Sequence, residues 1–403
     1  DVTFGGGGHS RAIFEKLNSQ GQLIAFDHDK DAKENAWEAS LEPIRKEAKQ
    51  LTNYLSDTGD EGLAKEGQRL LKDKSINRKK IASLARKSLR ALRKQPHSQT
   101  EKLQSWIANY FEETQPKFSA ALYNETQTSS LAVKKVEVSY DDDAPKVDGR
   151  IILRDNFKAL FEKHDNLLVF GEDTGKIGDV NQGLEGLQKK YGKIRVADSG
   201  IREATIIGQG IGMALRGLKP IAEIQYLDYI LYCIQILSDD LATLSYRTKG
   251  RQLSPLIVRT RGHRLEGIWH SGSPMAGIIN LMRGIHILVP RNMTQAAGFY
   301  NTLLKANQPA IVIESLNGYR IKEKMPSNLG VFTLPIGKVD ILKVGLDITL
   351  VSYGSTLRIV EKVAKDLENF DINAEVIDIQ SLIPFDLDCE IKDSIEKTNR
   401  LVI

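Results

Sequence analysis

Cysteine is nearly absent from the chain. Its two cysteines, Cys233 and Cys389, stand far apart and in no paired spacing. This excludes a disulfide framework and a cysteine-based zinc site, and it suits a reducing, cytoplasmic setting. Long apolar runs are missing as well. None approaches the roughly 18 residues that a membrane helix needs, so no span is expected. The N-terminal residues show no basic start followed by an apolar core, so no signal peptide is expected. Neither sign of charge dominates. The formal net charge is +4, from 56 Lys and Arg against 52 Asp and Glu, and it does not by itself call for nucleic acid. The chain starts at Asp1, inside a glycine-rich motif, and stops at Arg400-Leu401-Val402-Ile403 on what reads as a strand; both ends read as cut.

What is present suits two or three domains with cores of their own: 403 residues, 41% hydrophobic and 27% charged. Residues 1–36 read as strand end, glycine loop, helix, and then a strand from Leu23 to Phe26 that ends in Asp27. Residues 37–116 read as helices. Leu41, Ile44, Ala48, Leu51 and Leu55 recur at three- and four-residue steps, an amphipathic stripe. Further helices run through Ile81, Leu84, Leu89 and Leu92, and through Leu103, Trp106, Ile107 and Phe111. The basic residues Arg78, Lys79, Lys80, Arg86, Lys87, Arg90, Arg93 and Lys94 offer a nucleic-acid or partner site. No aromatics interleave them, so a solvated helix face is the preferred reading and nucleic acid is not expected. Residues 117–149 are polar and acidic and read as a linker, a kind of stretch that rarely packs.

Residues 150–325 alternate strands and helices. Leu167–Phe170, Pro220–Ile224, Leu256–Thr260, Ile285–Val289 and Ala310–Ile313 read as strands. The alternation predicts an α/β fold, a parallel sheet with helices on both faces and its ligands beyond the carboxyl ends of the strands. Glu172-Asp173, Gln225 to Asp228 and Arg259 to His263 are expected at that rim. Residues 335–403 read as the start of a second α/β domain, with strands Ile348–Val351, Ala374–Ile379 and Leu401–Ile403.

Two resemblances follow from particular motifs. Asp1-Val2-Thr3-Phe4-Gly5-Gly6-Gly7-Gly8-His9-Ser10 resembles the S-adenosylmethionine loop of the 16S ribosomal-RNA cytosine-N4 methyltransferase family. That likeness implies Gly5, Gly7 and His9 beside the cofactor and Asp27 beside its ribose. It covers about the first 36 residues, and the rest of that family's architecture is not continued. From residue 139 onward the chain is similar, nearly continuously, to the β part of the thiamine diphosphate-dependent 2-oxo acid dehydrogenase component, the lipoamide-transferring decarboxylase. The matching motifs are Val169-Phe170-Gly171-Glu172-Asp173, Ser199-Gly200-Ile201-Arg202-Glu203, Ala222-Glu223-Ile224-Gln225-Tyr226, Trp269-His270-Ser271, and Arg283-Gly284-Ile285 with Val289-Pro290. Residues 37–138 resemble the end of the α part and its linker, as in bacterial forms that fuse the two. The run from Glu223 to Ile230, EIQYLDYI, suggests the branched-chain group; pyruvate stays open.

The second resemblance implies a transketolase-like pyrimidine-binding domain followed by the start of a transketolase C-terminal domain. It implies that Glu203 hydrogen-bonds ring N1′ of thiamine diphosphate and so favours the basic imino form of the cofactor. Ile201 touches the aminopyrimidine, Tyr229 packs on it, and Gln225 and Glu172 support the pocket. His270 does acid–base work and guides the acyl group to lipoamide. Gly208, Gly210, Gly212 and Ala214 make a small-residue helix face that packs against partner subunits. The family holds magnesium and diphosphate with a Gly-Asp-Gly motif, and no such motif occurs here: Gly178-Asp179 precedes Val180, and Gly59-Asp60 precedes Glu61. No metal is therefore expected on this chain. The implied partners are an α half, a lipoyl-bearing acyltransferase core and a second copy of the β domain, with activity only alongside the α half. Two alternatives remain open at this point: a fragment of an S-adenosylmethionine-dependent methyltransferase, or an inactive chimeric chain that serves only in assembly.

Overall fold

The computed structural model describes residues 30–93, 98–264, 268, 270 and 272–403. The glycine loop with Gly5, Gly7, His9 and Asp27, the expected Leu23–Phe26 strand, and Trp269 and Ser271 lie outside the described residues. The chain divides into two units, residues 1–118 and 119–403.

In the first unit the described residues form helices: α1 (Lys30–Asp57), α2 (Glu61–Lys72), α3 (Arg78–Leu92) and α4 (Ser98–Ser119), the last reaching one residue past the division. The predicted stripe on α1 is the buried one. Leu41, Ala48, Leu51 and Leu55 pack with Leu63, Leu70, Ile81, Ala85 and Leu103. Asp60 caps α2, its carboxylate accepting from Gly62 N and Leu63 N at 2.8 and 3.0 Å. Three residues of the basic stretch around α3 are paired with acids of the same unit. Arg78 binds Glu47, Lys80 binds Asp73 and Lys87 binds Glu66, at 2.9, 2.6 and 2.5 Å. Arg86 lies over the Phe111 ring at 4.4 Å. Trp106 stacks on Tyr110, which is buried, so these aromatics are packing.

The second unit is built on a seven-stranded sheet in the order β12-β6-β7-β5-β4-β2-β3. Its strands are β2 (Leu167–Gly171), β3 (Val196–Asp198), β4 (Lys219–Ile224), β5 (Ile257–Gly262), β6 (His286–Leu288), β7 (Ala310–Ser315) and β12 (Ser381–Ile383). All pairings are parallel except that of β12 with β6. These strands read as continuous apolar runs because both faces are covered. Ile221, Ile257, Ala310 and Val312 face one cluster with α5 (Gly149–Lys163) and α10 (Met293–Leu304). The alternate residues Ala222, Val258, Ile311 and Ile313 face a second cluster with α7 (Glu203–Leu215) and α9 (Met275–Leu281).

The last 64 or so residues form a second sheet, β13 (Leu401–Val402), β10 (Ile348–Ser352), β11 (Ala374–Asp378) and β9 (Asp340–Lys343) in that order. It is flanked by α11 (Leu357–Leu367) and α12 (Glu390–Thr398), which cover opposite faces. Through β12 the same segment also extends the main sheet.

The segment read as a linker packs after all. Its polar side chains satisfy backbone and side-chain groups of the sheet domain instead of solvating a free tether. Asn124 N donates to Gln308 Oε1 at 2.7 Å, Asn307 N donates to the Thr128 carbonyl at 2.8 Å, and Ser130 Oγ meets His286 Nε2 at 2.6 Å. Val136 bridges Thr333, and β1 (Lys146–Asp148) pairs antiparallel with β8 (Lys322–Lys324).

Candidate active site

Three neighbouring parallel strands end side by side, and each delivers a polar residue at the expected rim. β2 ends at Gly171 and presents Glu172; β4 ends at Ile224 and presents Gln225; β5 ends at Gly262 and presents His263. β3, on the outer side of β2, leads through Ser199 to Glu203 at the start of α7. Gly171 allows this crowding. A Cβ there would lie 2.6 Å from the Glu223 carbonyl oxygen on the adjacent strand.

Glu203 is half-buried in the first turn of its helix, where the backbone dipole favours a carboxylate. It belongs to a crowded acidic corner. Burial, then the charges of Asp173 and Glu203, raise the pKa of Glu172 above the usual carboxylate range. Burial, with Glu203 beside it, pushes the thiol of Cys233 up to about 12. Cys233 is therefore a buried neutral neighbour and not a nucleophile. Burial, then Asp228 and Glu172, raises Tyr229. Gln225 Nε2 donates to Asp173 Oδ2 at 3.2 Å, beside Glu172. Ile201 is 72% exposed, on the open side of the rim.

His270 joins this corner from a segment beyond β5. Its ring lies flat on Tyr226, at 3.7 Å between centroids and 1° between planes, and edge-on to Tyr229 at 5.4 Å. Its Nδ1 is 3.0 Å from Asp228 Oδ2. A carboxylate only accepts, so Nδ1 carries the hydrogen of this contact. Glu172, Glu203, Tyr229 and His270 are thus brought together, with Gln225 at their edge. Tyr226 and Asp228, which the sequence places at the rim but gives no role, complete the set.

The rim also holds buried polar atoms with no partner among the described residues: Ser199 Oγ and Asp228 Oδ1. Such groups are normally satisfied, so they suit a polar ligand seated at this edge. No group of three or more His, Cys, Asp or Glu side chains among the described residues is placed to hold a metal ion.

Beneath the rim the sequence expectation needs one correction. Arg259 and Arg261 belong to β5 and are fully buried, not part of an open edge. Arg259 binds Glu314 at 2.9 Å and Asp179 at 2.8 Å and also Glu223; Arg261 binds Glu223 at 2.7 Å and the Tyr319 hydroxyl at 3.1 Å. Burial opposes the charge of Arg259, but Glu314, Glu223 and Asp179 together outweigh it and hold its pKa well above the ordinary value. Asp179, from the Gly-Asp pair with no second glycine, is a core ion-pair residue.

Known proteins match this architecture. The family described as "Transketolase, pyrimidine binding domain" matches residues 145–322, and "Transketolase, C-terminal domain" matches residues 337–403. The β subunit of the pyruvate dehydrogenase E1 component of Bacillus subtilis (strain 168) is 31% identical over 253 residues, 62% of this chain and 77% of the relative. That of Acholeplasma laidlawii is 34% identical over 244 residues, 60% of this chain and 74% of the relative. The chain belongs to the family of pyruvate dehydrogenase E1 β subunits.

Among solved structures, a split-gene transketolase, titled an inactive β4 tetramer, superposes with a TM-score of 0.52 over 63% of this chain and 77% of its own, at 18% identity. That likeness supports the fold. The "MraW methylase family" matches residues 1–68. This match runs past the glycine loop, through α1 and into α2.

In this chain α7 has a divided small-residue face. Gly210 points inward, where a Cβ would meet Leu256 Cδ1 at 2.7 Å, so α7 needs a glycine there to close on the sheet. Gly208 and Gly212 have nothing within 4 Å of a built Cβ and face outward. Leu231, Tyr232 and Ile268 are exposed apolar residues on the same unit.

Proposed function

We propose that this chain is the β half of a thiamine diphosphate-dependent 2-oxo acid dehydrogenase component, and that Glu203 is its cofactor-activating carboxylate. The observation that carries this reading is the corner formed by Glu203, Glu172, Tyr229 and His270 at the carboxyl edge of β2, β4 and β5. Bound there, the cofactor supplies the electron sink that a 2-oxo acid needs to lose carbon dioxide. Glu203 hydrogen-bonds the pyrimidine ring at N1′ and shares a proton with it. Glu172, whose pKa burial and then Asp173 and Glu203 raise, lies beside it. Tyr229 offers a half-buried ring for stacking, and Ile201 covers the open side. His270, oriented by Asp228, works as an acid–base group toward the substrate and the acyl acceptor.

The diphosphate and its magnesium are held by an α partner, the acyl group passes to a lipoyl-bearing acyltransferase, and a second β domain covers the outer face of α7. The EIQYLDYI run favours a branched-chain 2-oxo acid as substrate, with pyruvate the other member of the class. Glu203→Ala tests the proposal in a complex with an α partner. Decarboxylation is expected to fall by at least ~100-fold while the circular dichroism spectrum stays native. Full activity in that variant would refute the role.

The match over residues 1–68 favours a second reading for the N-terminal residues alone. They carry the loop of an S-adenosylmethionine site, with Gly5, Gly7, His9 and Asp27, and not a whole methyltransferase. Calorimetry with S-adenosylmethionine at millimolar concentration is expected to show no binding; measurable binding would restore the methyltransferase function.

A further inference from the structure

His263 and Ser273 stand ten positions apart, and His270 lies between them in sequence. The His263 ring is buried, and its backbone is held in the left-handed region at a φ of 53°. Nδ1 is 3.2 Å from Ser273 Oγ, and Nε2 is 3.3 Å from the carbonyl oxygen of Tyr353. The ring also stacks on Tyr353, at 4.9 Å and 22°. Burial keeps the pKa of His263 below its ordinary value, which favours the neutral ring. A carbonyl only accepts, so Nε2 carries the hydrogen and donates to Tyr353, and Nδ1 accepts from the Ser273 hydroxyl. Both ring nitrogens are committed, one to the far end of the His270 segment and one to the C-terminal domain. Gly354 is shaped to this arrangement. Its φ is 57°, and a Cβ there would lie 2.7 Å from His263 Cδ2. Non-glycine residues with positive φ persist only where their surroundings hold them.

We propose that His263 is a positioning residue for His270, a clasp that joins the two ends of the segment carrying His270 and fixes them to the Tyr353 carbonyl. Joining the ends removes chain entropy that would otherwise oppose the placement of His270 on Tyr226 and Asp228. The catalytic meaning of the clasp rests on the acid–base role given to His270 above; its geometric content does not.

The test therefore reads the geometry directly. The intact chain is treated with diethyl pyrocarbonate, and carbethoxylation of the His270 ring is followed by peptide mass spectrometry. In the native chain the His270 side chain is 11% exposed and stacked, so it reacts slowly. His263→Ala is expected to speed labelling of His270 about tenfold, the scale of one or two lost hydrogen bonds. Ser273→Ala acts in the same direction with a smaller effect. His263→Gln, which can still donate to the Tyr353 carbonyl, lies nearer the native rate than His263→Ala. Labelling of His164 and the circular dichroism spectrum report that the fold is kept. If His270→Ala leaves decarboxylation intact while His263→Ala still speeds labelling, the acid–base role falls and the clasp stands. Native labelling of His270 in folded His263→Ala and Ser273→Ala, or equal rates for His263→Gln and His263→Ala, would overturn it.

Discussion

At the scale of single residues, partners decide what each titratable group can do. Asp228 fixes the tautomer of His270, and Tyr226 fixes the plane of its ring. His286 shows the same logic without catalysis. It is buried beside Ser130 and parallel to the Tyr123 ring at 5.4 Å. Burial lowers its pKa from 6.5 to about 3. As the pH falls, the unfolded chain takes up this proton first, near 6.5, while the folded chain refuses it until about 3. The stability it contributes is therefore complete above the higher value and is lost on acidification through that window. Urea unfolding is expected to show a loss of about 2 kcal/mol from this residue between pH 7 and pH 5, and His286→Phe, which keeps a ring against Tyr123, removes that loss. An unchanged pH dependence in the variant would contradict the account. At this scale the sequence was readable for position: Glu203 of Ser199–Glu203 does open a helix at the rim. Asp228 and Tyr226 sit in plain view beside Gln225. Their role depends on His270, 42 positions beyond Asp228, and only folding brings that histidine to them.

At the scale of elements, the strands of the main sheet were legible because burial on both faces demands uninterrupted apolar runs. β2, β4, β5, β6 and β7 lie within a residue or two of their expected ranges. The short β1, β8, β9 and β12 were not legible. They are half-exposed edge pieces, and their pairing partners are far away in sequence. The same blindness made Lys146–Asp148 look like linker. Arg259 and Arg261 were placed at the rim because charge usually marks a strand's end; three buried acids instead make their interior position tolerable. The closeness of β2 and β4 carries a prediction about the site. Gly171→Ala would press a methyl against the Glu223 carbonyl and the Thr174 hydroxyl, at 2.6 and 2.9 Å before relaxation. It is expected to destabilise the second unit by about 1–3 kcal/mol, since overpacking forces a backbone shift. It should also lower decarboxylation in the complex by displacing Glu172. A urea midpoint and an activity both at the native value would show that the two strands have slack.

At the scale of the whole molecule, matches to two families lie on one chain. The methylase match ends at residue 68, within α2, and the transketolase matches begin at residue 145. α1 runs unbroken from Lys30 to Asp57, so helix periodicity gave no mark of the meeting point. In the function proposed, the site in the second unit takes the pyrimidine end and uses His270 as its acid–base group, and the diphosphate end belongs to another polypeptide. The central claim is that Glu203 switches on the cofactor within that shared site. The most direct measurement is the exchange of the thiazolium C2 proton for deuterium, followed by acid quench and proton NMR, in the complex with an α partner. The account predicts that Glu203→Gln slows this exchange by at least ~100-fold relative to the native chain, with cofactor affinity little changed. Exchange at the native rate in that variant would contradict it.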